Sequence, residues 1–191
     1  MIGLVVGPPG AGKGLYLIQR IAETLLQTNK TVVTNFAVKL PELNAWLQKE
    51  HPEAEVNIHE RIRILTEDEM TRFYLVRGPG RMLAEVSPEE ERRGVTTDYS
   101  AAMGSPAVKD KASGELLEPA RAPWGAVAYF SDEAELCFGS RDWAAFGKGT
   151  NHYLKQHRKL NDDVWFCCQN TGQLDKQIQR VTQKTVMLKN L

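Results

Sequence analysis

The sequence predicts an α/β fold in which helices sandwich a mainly parallel sheet. Three stretches carry this prediction, and each joins an apolar run to a polar turn. A glycine-rich turn follows the first apolar run, at residues 2–6. Two carboxylates end a second run at residues 124–133, and two amides end a third at residues 163–170. Buried parallel strands form continuous apolar runs, and ligands bind beyond their carboxyl ends.

The turn after the first run has the composition and spacing of a phosphate-binding loop (P-loop). A helical pattern follows this turn, whose residues are Gly7, Pro8, Pro9, Gly10, Ala11, Gly12, Lys13 and Gly14. Backbone N–H groups of such a loop close around a polyphosphate, and the positive end of the following helix adds to the field. Lys13 supplies a mobile charge for the outer phosphates. The alternative is a plain glycine turn, but the spacing and the flanking elements favour ATP binding.

One position departs from the usual P-loop pattern. The residue after the lysine is normally Ser or Thr, whose hydroxyl binds Mg²⁺. Here Gly14 and Leu15 follow Lys13, and neither has a hydroxyl. Adenylate kinases also have glycine after the lysine, followed by threonine, so the loop resembles theirs in part. We therefore expect ATP to bind at residues 7–15, and Mg²⁺ to depend on water molecules and another carboxylate.

The strand that ends in Ser131, Asp132 and Glu133 supplies that carboxylate. Asp132 is predicted to hold Mg²⁺ through water, as a Walker B aspartate does, and Glu133 to orient or deprotonate the attacking water. Gln169 ends a later apolar strand, where a sensor residue meets the γ-phosphate or its water. The alternative is a solvated strand end with Asp132 as a helix cap. The order of these strands predicts a P-loop NTPase of the additional-strand class, with a sensor strand after the Walker B strand.

The other elements follow from local signals. A helix over residues 13–28 is predicted to bury the positions at helical spacing, Ile18, Ile21, Ala22 and Leu25. β-Branched residues at 31–34 indicate a strand, and Pro41 fits the first turn of a helix with Trp46 inward. Acidic residues begin a helix that reaches about residue 76. Further predictions are a strand at 62–65, a helix capped by Asn151, a helix entered near Asp175 and a strand at 185–188.

Length and composition predict one domain over residues 1–191. The chain is 42% hydrophobic and has 24 basic and 24 acidic residues, so its zero net charge does not favour nucleic acid as a partner. Residues 78–123 hold a charge cluster and little periodicity, and we interpret them as an insertion. A flexible loop and a functional lid or interface arm remain alternatives for it. A local concentration of basic residues at 148–159 fits a solvated helix face, with single-stranded DNA as the alternative.

Cysteine usage and hydropathy bear on the compartment. The three cysteines, Cys137, Cys167 and Cys168, include an adjacent pair, which argues against a disulfide framework and for a reducing compartment. We expect the adjacent pair to be plain core residues. No apolar run is long enough to span a bilayer. A membrane segment beyond Leu191 stays open as an alternative.

Taken together, four features resemble the zonular occludens toxin-like domain, a family that includes the gene I assembly proteins of filamentous phages. They are the N-terminal P-loop, the strand end at Asp132 and Glu133, a His157-Arg158 helix, and the strand from Asp163 to Gln169. The resemblance spans nearly the whole chain, without the insertion. It implies an ATPase on the cytoplasmic face of the bacterial inner membrane, as the cytoplasmic fragment of a longer membrane protein. It also implies a ring-like homo-oligomer that acts with phage assembly and export proteins in virion assembly.

Carried over by position, the resemblance implies phosphate contact by Lys13, a Walker B pair at Asp132 and Glu133, and a sensor at Gln169. Arg158 has two possible roles in this scheme. It either reaches the γ-phosphate of a neighbouring subunit, as arginine fingers do, or pairs with a nearby aspartate and pins its helix.

Two other functions compete with a motor ATPase. The first is a nucleoside monophosphate kinase, suggested by the loop itself. Against it, Leu15 stands where adenylate kinases have threonine, and no arginine-rich lid is evident. The second is a module in which nucleotide binding without hydrolysis sets conformation or oligomeric state. The missing hydroxyl at Gly14 supports this second alternative.

Overall fold

Six strands form one parallel sheet in the computed structural model of this chain. The structure describes residues 1–71, 73, 95–98, 107–110, 113, 116–118, 127–140, 150–151, 153–155, 157 and 161–189. The strands are β1 (Ile2–Val6), β2 (Thr31–Thr34), β3 (Ile62–Ile64), β4 (Val95–Asp98), β5 (Ala107–Asp110), β6 (Leu116–Glu118), β7 (Val127–Ser131), β8 (Asp163–Cys168) and β9 (Lys184–Met187). The helices are α1 (Lys13–Gln27), α2 (Leu40–Glu50), α3 (Ile58–Arg61), α4 (Glu67–Met70), α5 (Ala134–Cys137) and α6 (Lys176–Val181).

The parallel sheet has the strand order β3-β2-β7-β8-β1-β9. Strand β8 therefore lies between β1, which precedes the glycine-rich loop, and β7, which precedes the acidic pair. This is the additional-strand arrangement, and the predicted fold class is confirmed: the chain has a P-loop NTPase-like α/β fold. Loops after the strands of a parallel sheet meet at one edge, so the polar turns after β1, β7 and β8 share an edge.

Strands β4, β5 and β6 form a separate antiparallel sheet in the order β4-β5-β6. All three belong to the stretch 78–123, whose other residues, apart from Ser113, lie outside the described part of the chain. The division of the chain into one domain with an insertion stays a prediction.

Apolar side chains cover both faces of the parallel sheet. Alternate strand residues point to opposite faces, so Val5 packs in the cluster that contains Leu17 and Ile21 of α1. Val6 packs in the other cluster, with Phe138 and Phe166. Burial on both faces explains why the central strands are continuous apolar runs.

Three details of the predicted helices are wrong. Helix α1 buries Leu17 with Ile21, Ala22 and Leu25, while Ile18 is only half-buried. Trp46 is 45% exposed, because Leu43 and Leu47 already fill the buried face of α2. Thr150 is helical, so that helix begins before the predicted cap at Asn151.

An ion pair ties the beginning of β8 to the loop before β2. The Lys30 Nζ atom donates to Asp163 Oδ2 at 2.5 Å, and the Met1 ammonium donates to Asp163 Oδ1 at 3.0 Å. Burial acts to raise the pKa of Asp163, but these hydrogen bonds and the two positive charges outweigh it and hold the pKa below its usual range. The carboxylate therefore stabilises the fold while it is ionised.

Gly3→Ala tests the contact between β1 and β8. A Cβ atom at position 3 would lie 2.5 Å from Cζ3 and 2.9 Å from Cδ2 of Trp165, a ring that is itself buried. We expect a loss of about 1–3 kcal/mol in the free energy of unfolding, measured by denaturant titration. Gly172→Ala is the control, because its Cβ atom would meet only Asn170 Oδ1, at 3.4 Å. Equal stability of the two variants would contradict the packing argument.

Asp163→Asn tests the ion pair. Because the folded-state pKa lies below the unfolded value of about 3.9, the stabilisation is complete above that value and disappears as the pH falls through the folded-state pKa. We expect the variant to be less stable by about 1–3 kcal/mol at pH 7, with the difference shrinking below about pH 4. Glu50→Gln is the matched control, since the ion-pair partner of Glu50 among the described residues is the exposed Lys49. A difference that stays constant down to pH 3 would count against this account.

Candidate nucleotide-binding site

The loop between β1 and α1 is held by its own backbone and by β8. The Gly7 N–H donates to the Cys168 carbonyl at 3.3 Å, and the Ala11 N–H donates to the Pro8 carbonyl at 3.2 Å. Gly10 and Gly12 both have φ of +80°, a conformation that side chains other than glycine rarely adopt. The loop therefore needs glycine at these two positions for its backbone path.

The space beside three of the loop glycines is open. Apart from neighbouring residues and the backbone of α1 itself, no described atom lies within 4 Å of where a Cβ atom would stand at Gly10, Gly12 or Gly14. Helix α1 begins at Lys13, and no described side chain caps it. Its first N–H groups are left without intrahelical partners, and the first intrahelical bond is from the Tyr16 N–H to the Gly12 carbonyl at 3.0 Å. This geometry suits a phosphate group.

The Lys13 ammonium bends back over the loop. Its Nζ atom donates to the carbonyls of Gly7 at 2.8 Å and Pro8 at 3.0 Å. These are replaceable partners, because the same ammonium can donate to phosphate oxygens without a change in the backbone. Leu15, in the first turn of α1, is 76% exposed and has no hydroxyl to offer a metal ion.

Asp132 is positioned by Asn35, which follows β2. The Asn35 side chain accepts from the Asp132 N–H at 2.8 Å and donates to the Asp132 carbonyl at 2.9 Å. Strands β2 and β7 are neighbours, so their ends bring these residues together. The Asp132 carboxylate also accepts from the Glu133 N–H at 3.0 Å. The backbone N–H and carbonyl of Asp132 are therefore both held by the Asn35 side chain, and one carboxylate oxygen accepts a hydrogen bond from the turn that follows.

Glu133 lies at a strained turn. Its φ of 44° and ψ of 47° are left-handed, and its side chain is exposed at the start of α5. A left-handed conformation costs free energy in residues other than glycine and is often kept at functional sites. The turn directs the chain from β7 into α5 within two residues.

The last two residues of β8 are the buried cysteines Cys167 and Cys168, and nearby charges affect the pKa of both thiols. Burial, followed by the charge and hydrogen bond of Asp132, raises the pKa of the Cys167 thiol far above its usual value, and Lys13 opposes this rise. Burial and the Glu135 charge raise the pKa of Cys168 to about 12, again opposed by Lys13. Both thiols stay protonated at neutral pH, and Cys167 acts as a hydrogen-bond partner of Asp132 rather than as a metal ligand.

Gln169 follows the last residue of β8 and is exposed. Its N–H donates to Glu135 Oε1 at 3.1 Å, a contact that joins α5 to the end of β8. The neighbouring Asn170 accepts from the Gly172 N–H at 2.9 Å and begins a 3₁₀ turn at Thr171–Gln173. Of the two amides, Gln169 is therefore the one whose side chain is not used by the local turn.

The loop and strand ends fit ATP with Mg²⁺. The open glycine loop, the uncapped helix start and Lys13 fit the phosphates. In the described part of the chain, no group of three or more His, Cys, Asp or Glu side chains could hold a metal ion. Mg²⁺ in nucleotide sites commonly takes one or two carboxylates, with phosphate and water oxygens as the other ligands. Asp132 supplies one carboxylate at this edge, and no hydroxyl follows Lys13.

The structure brings most of the predicted site residues to one sheet edge. The loop residues, Asp132, Glu133 and Gln169 all follow β1, β7 or β8, while Arg158 lies outside the described residues. Sequence reasoning missed Asn35 and Glu135. Asn35 had a detectable signal, since it ends the strand next along the chain from the P-loop. Glu135 had none, because its role depends on a residue 34 positions away.

Comparison with known proteins gives similar structures only. No family model matches the chain, and no curated protein matches it. It is similar to the N-terminal domain of zonular occludens toxin from Neisseria meningitidis, with 18% identity, a TM-score of 0.49, and coverage of 98% of this chain and 75% of that one. It is also similar to the genome packaging NTPase B204 from Sulfolobus turreted icosahedral virus 2 in complex with AMPPCP, with 13% identity, a TM-score of 0.45, and coverage of 97% and 74%.

A third similar chain belongs to the HORMA:CdnC:Trip13 complex of E. coli MS115-1, with 15% identity and a TM-score of 0.40. The match covers 98% of this chain and 48% of that one. At these values the likenesses carry no argument about function, and the fold assignment rests on the strand order of this chain. Among the helices of the described residues, none is both long and apolar enough to cross a bilayer.

Glu133→Gly and Glu133→Ala separate strain from chemistry at the turn. Both remove the carboxylate, but only glycine relieves the left-handed conformation. We expect the glycine variant to be more stable than the alanine variant by about 0.5–1 kcal/mol in thermal or denaturant unfolding. An alanine variant as stable as the glycine variant would show that position 133 carries no strain.

Proposed function

We propose that this chain binds ATP with Mg²⁺ and hydrolyses it. One observation carries the proposal: β8 lies between β1 and β7, so the glycine-rich loop and Asp132 end at the same sheet edge. The open loop and the clamped position of Asp132 support it. A strand order that placed β1 and β7 on opposite sides of the sheet would keep the loop and Asp132 apart.

Each residue has a role that its position allows. The backbone N–H groups of residues 10–15 and the Lys13 ammonium bind the phosphates, and Asp132 accepts hydrogen bonds from metal-bound water or ligates the metal directly. Glu133 orients the attacking water or accepts its proton. Gln169 contacts the terminal phosphate or the water from the end of β8. Mg²⁺, when bound, supplies charge stabilisation at the transferring phosphoryl group.

The biological role that we propose is virion assembly and export. It is supported by the sequence resemblance to the zonular occludens toxin-like and filamentous phage assembly proteins. In this proposal the chain is the cytoplasmic part of an inner-membrane protein and works as a homo-oligomer with phage assembly and export proteins. Arg158 would then be the candidate that reaches a neighbouring subunit's nucleotide.

The absence of a hydroxyl after Lys13 favours one alternative, a scaffold that binds nucleotide without hydrolysing it. A weaker bound metal ion would slow the chemical step more than binding, since the loop still holds the phosphates. The kinase alternative requires a second nucleotide site for a monophosphate. Formation of ADP from ATP and AMP would identify such a kinase.

The first experiment measures ATP binding and Mg²⁺-dependent turnover across protein concentrations for the wild-type protein, two site variants and a control variant. We expect Lys13→Ala to lose binding and turnover, because it removes the phosphate-binding charge. We expect Glu133→Gln to bind ATP normally and to lose at least about 100-fold in turnover rate. Turnover that rises with protein concentration would support an assembling motor.

Glu53→Ala is the control variant, since Glu53 is 76% exposed and lies outside the site. It should match the wild-type protein in both assays. Binding that is lost in Lys13→Ala, without wild-type turnover at any concentration, would support the scaffold instead. No ATP binding by the wild-type protein would overturn the proposal.

A further inference from the structure

Two carboxylates approach the end of β8 from opposite faces of the sheet. Asp132 contacts the thiol of Cys167, which belongs to the core cluster on the α1 face. Glu135 lies near Cys168, which belongs to the cluster on the other face. The last two residues of β8 therefore lie next to the acidic groups that follow β7.

Glu135 makes one strong contact and leaves one oxygen without a partner. Its Oε1 atom accepts from the Gln169 N–H at 3.1 Å. Its Oε2 atom is buried and has no hydrogen-bond partner in the described part of the chain. A buried carboxylate oxygen without a partner is costly, and such atoms in native proteins commonly bind water or a ligand.

The contact belongs to a short path between the acidic turn and the phosphate loop. Glu135 holds the N–H of Gln169, and the preceding residue, Cys168, accepts at its carbonyl from the Gly7 N–H at 3.3 Å. Gly7 is the first residue of the loop, and its carbonyl also accepts a hydrogen bond from the Lys13 ammonium. A displacement of the end of β8 would therefore move both Gln169 and Gly7, the first residue of the loop.

We propose that Glu135 is a positioning residue for Gln169. It holds the end of β8 in the position from which this strand end distinguishes a bound nucleoside triphosphate from a diphosphate. Its Oε2 atom accepts a hydrogen bond from a water molecule beside the terminal phosphate. Without this carboxylate, the Gln169 N–H loses its acceptor and the strand end is no longer held against α5. The inference rests on the proposed nucleotide site and assigns it a further residue.

The test is equilibrium binding of ADP and of AMPPCP, a non-hydrolysable ATP analogue, with Mg²⁺. It compares the wild-type chain with Glu135→Ala, Glu135→Gln and Glu53→Ala. We expect Glu135→Ala to lose about tenfold of the preference for AMPPCP while the Kd for ADP stays unchanged. Glu135→Gln should recover part of the preference, because its amide oxygen still accepts the Gln169 N–H. Glu53→Ala should keep the full preference.

The outcomes separate this inference from the proposed function. If the wild-type chain binds neither nucleotide, the proposed site is wrong and the inference falls with it. If the wild-type chain binds both but Glu135→Ala keeps the full preference, or loses ADP and AMPPCP affinity equally, only the inference is overturned. Thermal melting of each variant reports its folding, and if the alanine variant is unfolded, a preference in Glu135→Gln equal to that of the wild-type chain overturns the inference.

Discussion

The backbone ladder that β8 forms with β1 and β7 is the constraint on which the candidate site depends. Neighbouring strands lie about 4.8 Å apart, so one intervening strand sets a separation of roughly 10 Å between β1, which precedes the glycine-rich loop, and β7, which precedes Asp132. That space accommodates phosphates and a hydrated metal ion. Both ladders are parallel, and their registers bring the ends of all three strands to one edge.

The sheet holds this arrangement because both of its faces are buried. Gly3 allows the Trp165 ring of the neighbouring strand to pack over β1, and Tyr16 of α1 meets the same ring edge-on, with ring centroids 6.0 Å apart. Close-packed protein interiors have low compressibility and transmit strain. The packing of β1, β8 and α1 therefore sets where the loop and the strand ends lie, and the polar contacts of Asn35 and Glu135 fix the turns that follow them.

Much of the fold and part of the site were predictable from local patterns. The loop from Gly7 to Gly14 and the start of α1 at Lys13 follow from glycine spacing, and the central strands follow from apolar runs. Trp46 was predicted to be buried and is half-exposed, since helical spacing does not tell which of several apolar residues meets the core. Glu135 was indistinguishable from an ordinary acidic residue in a helix, because its partner is distant in the chain.

The sequence by itself determined which chemical groups are available: a loop that can surround phosphates, an acidic strand end, and an amide after a buried strand. It also determined that no hydroxyl follows Lys13. Only the tertiary structure decided which groups meet, because the strand order is set by long-range pairing and not by local propensity. The clamp of Asn35 on Asp132 and the contact of Glu135 with Gln169 join residues 97 and 34 positions apart. Such contacts exist only after β2, β7 and β8 have been placed side by side.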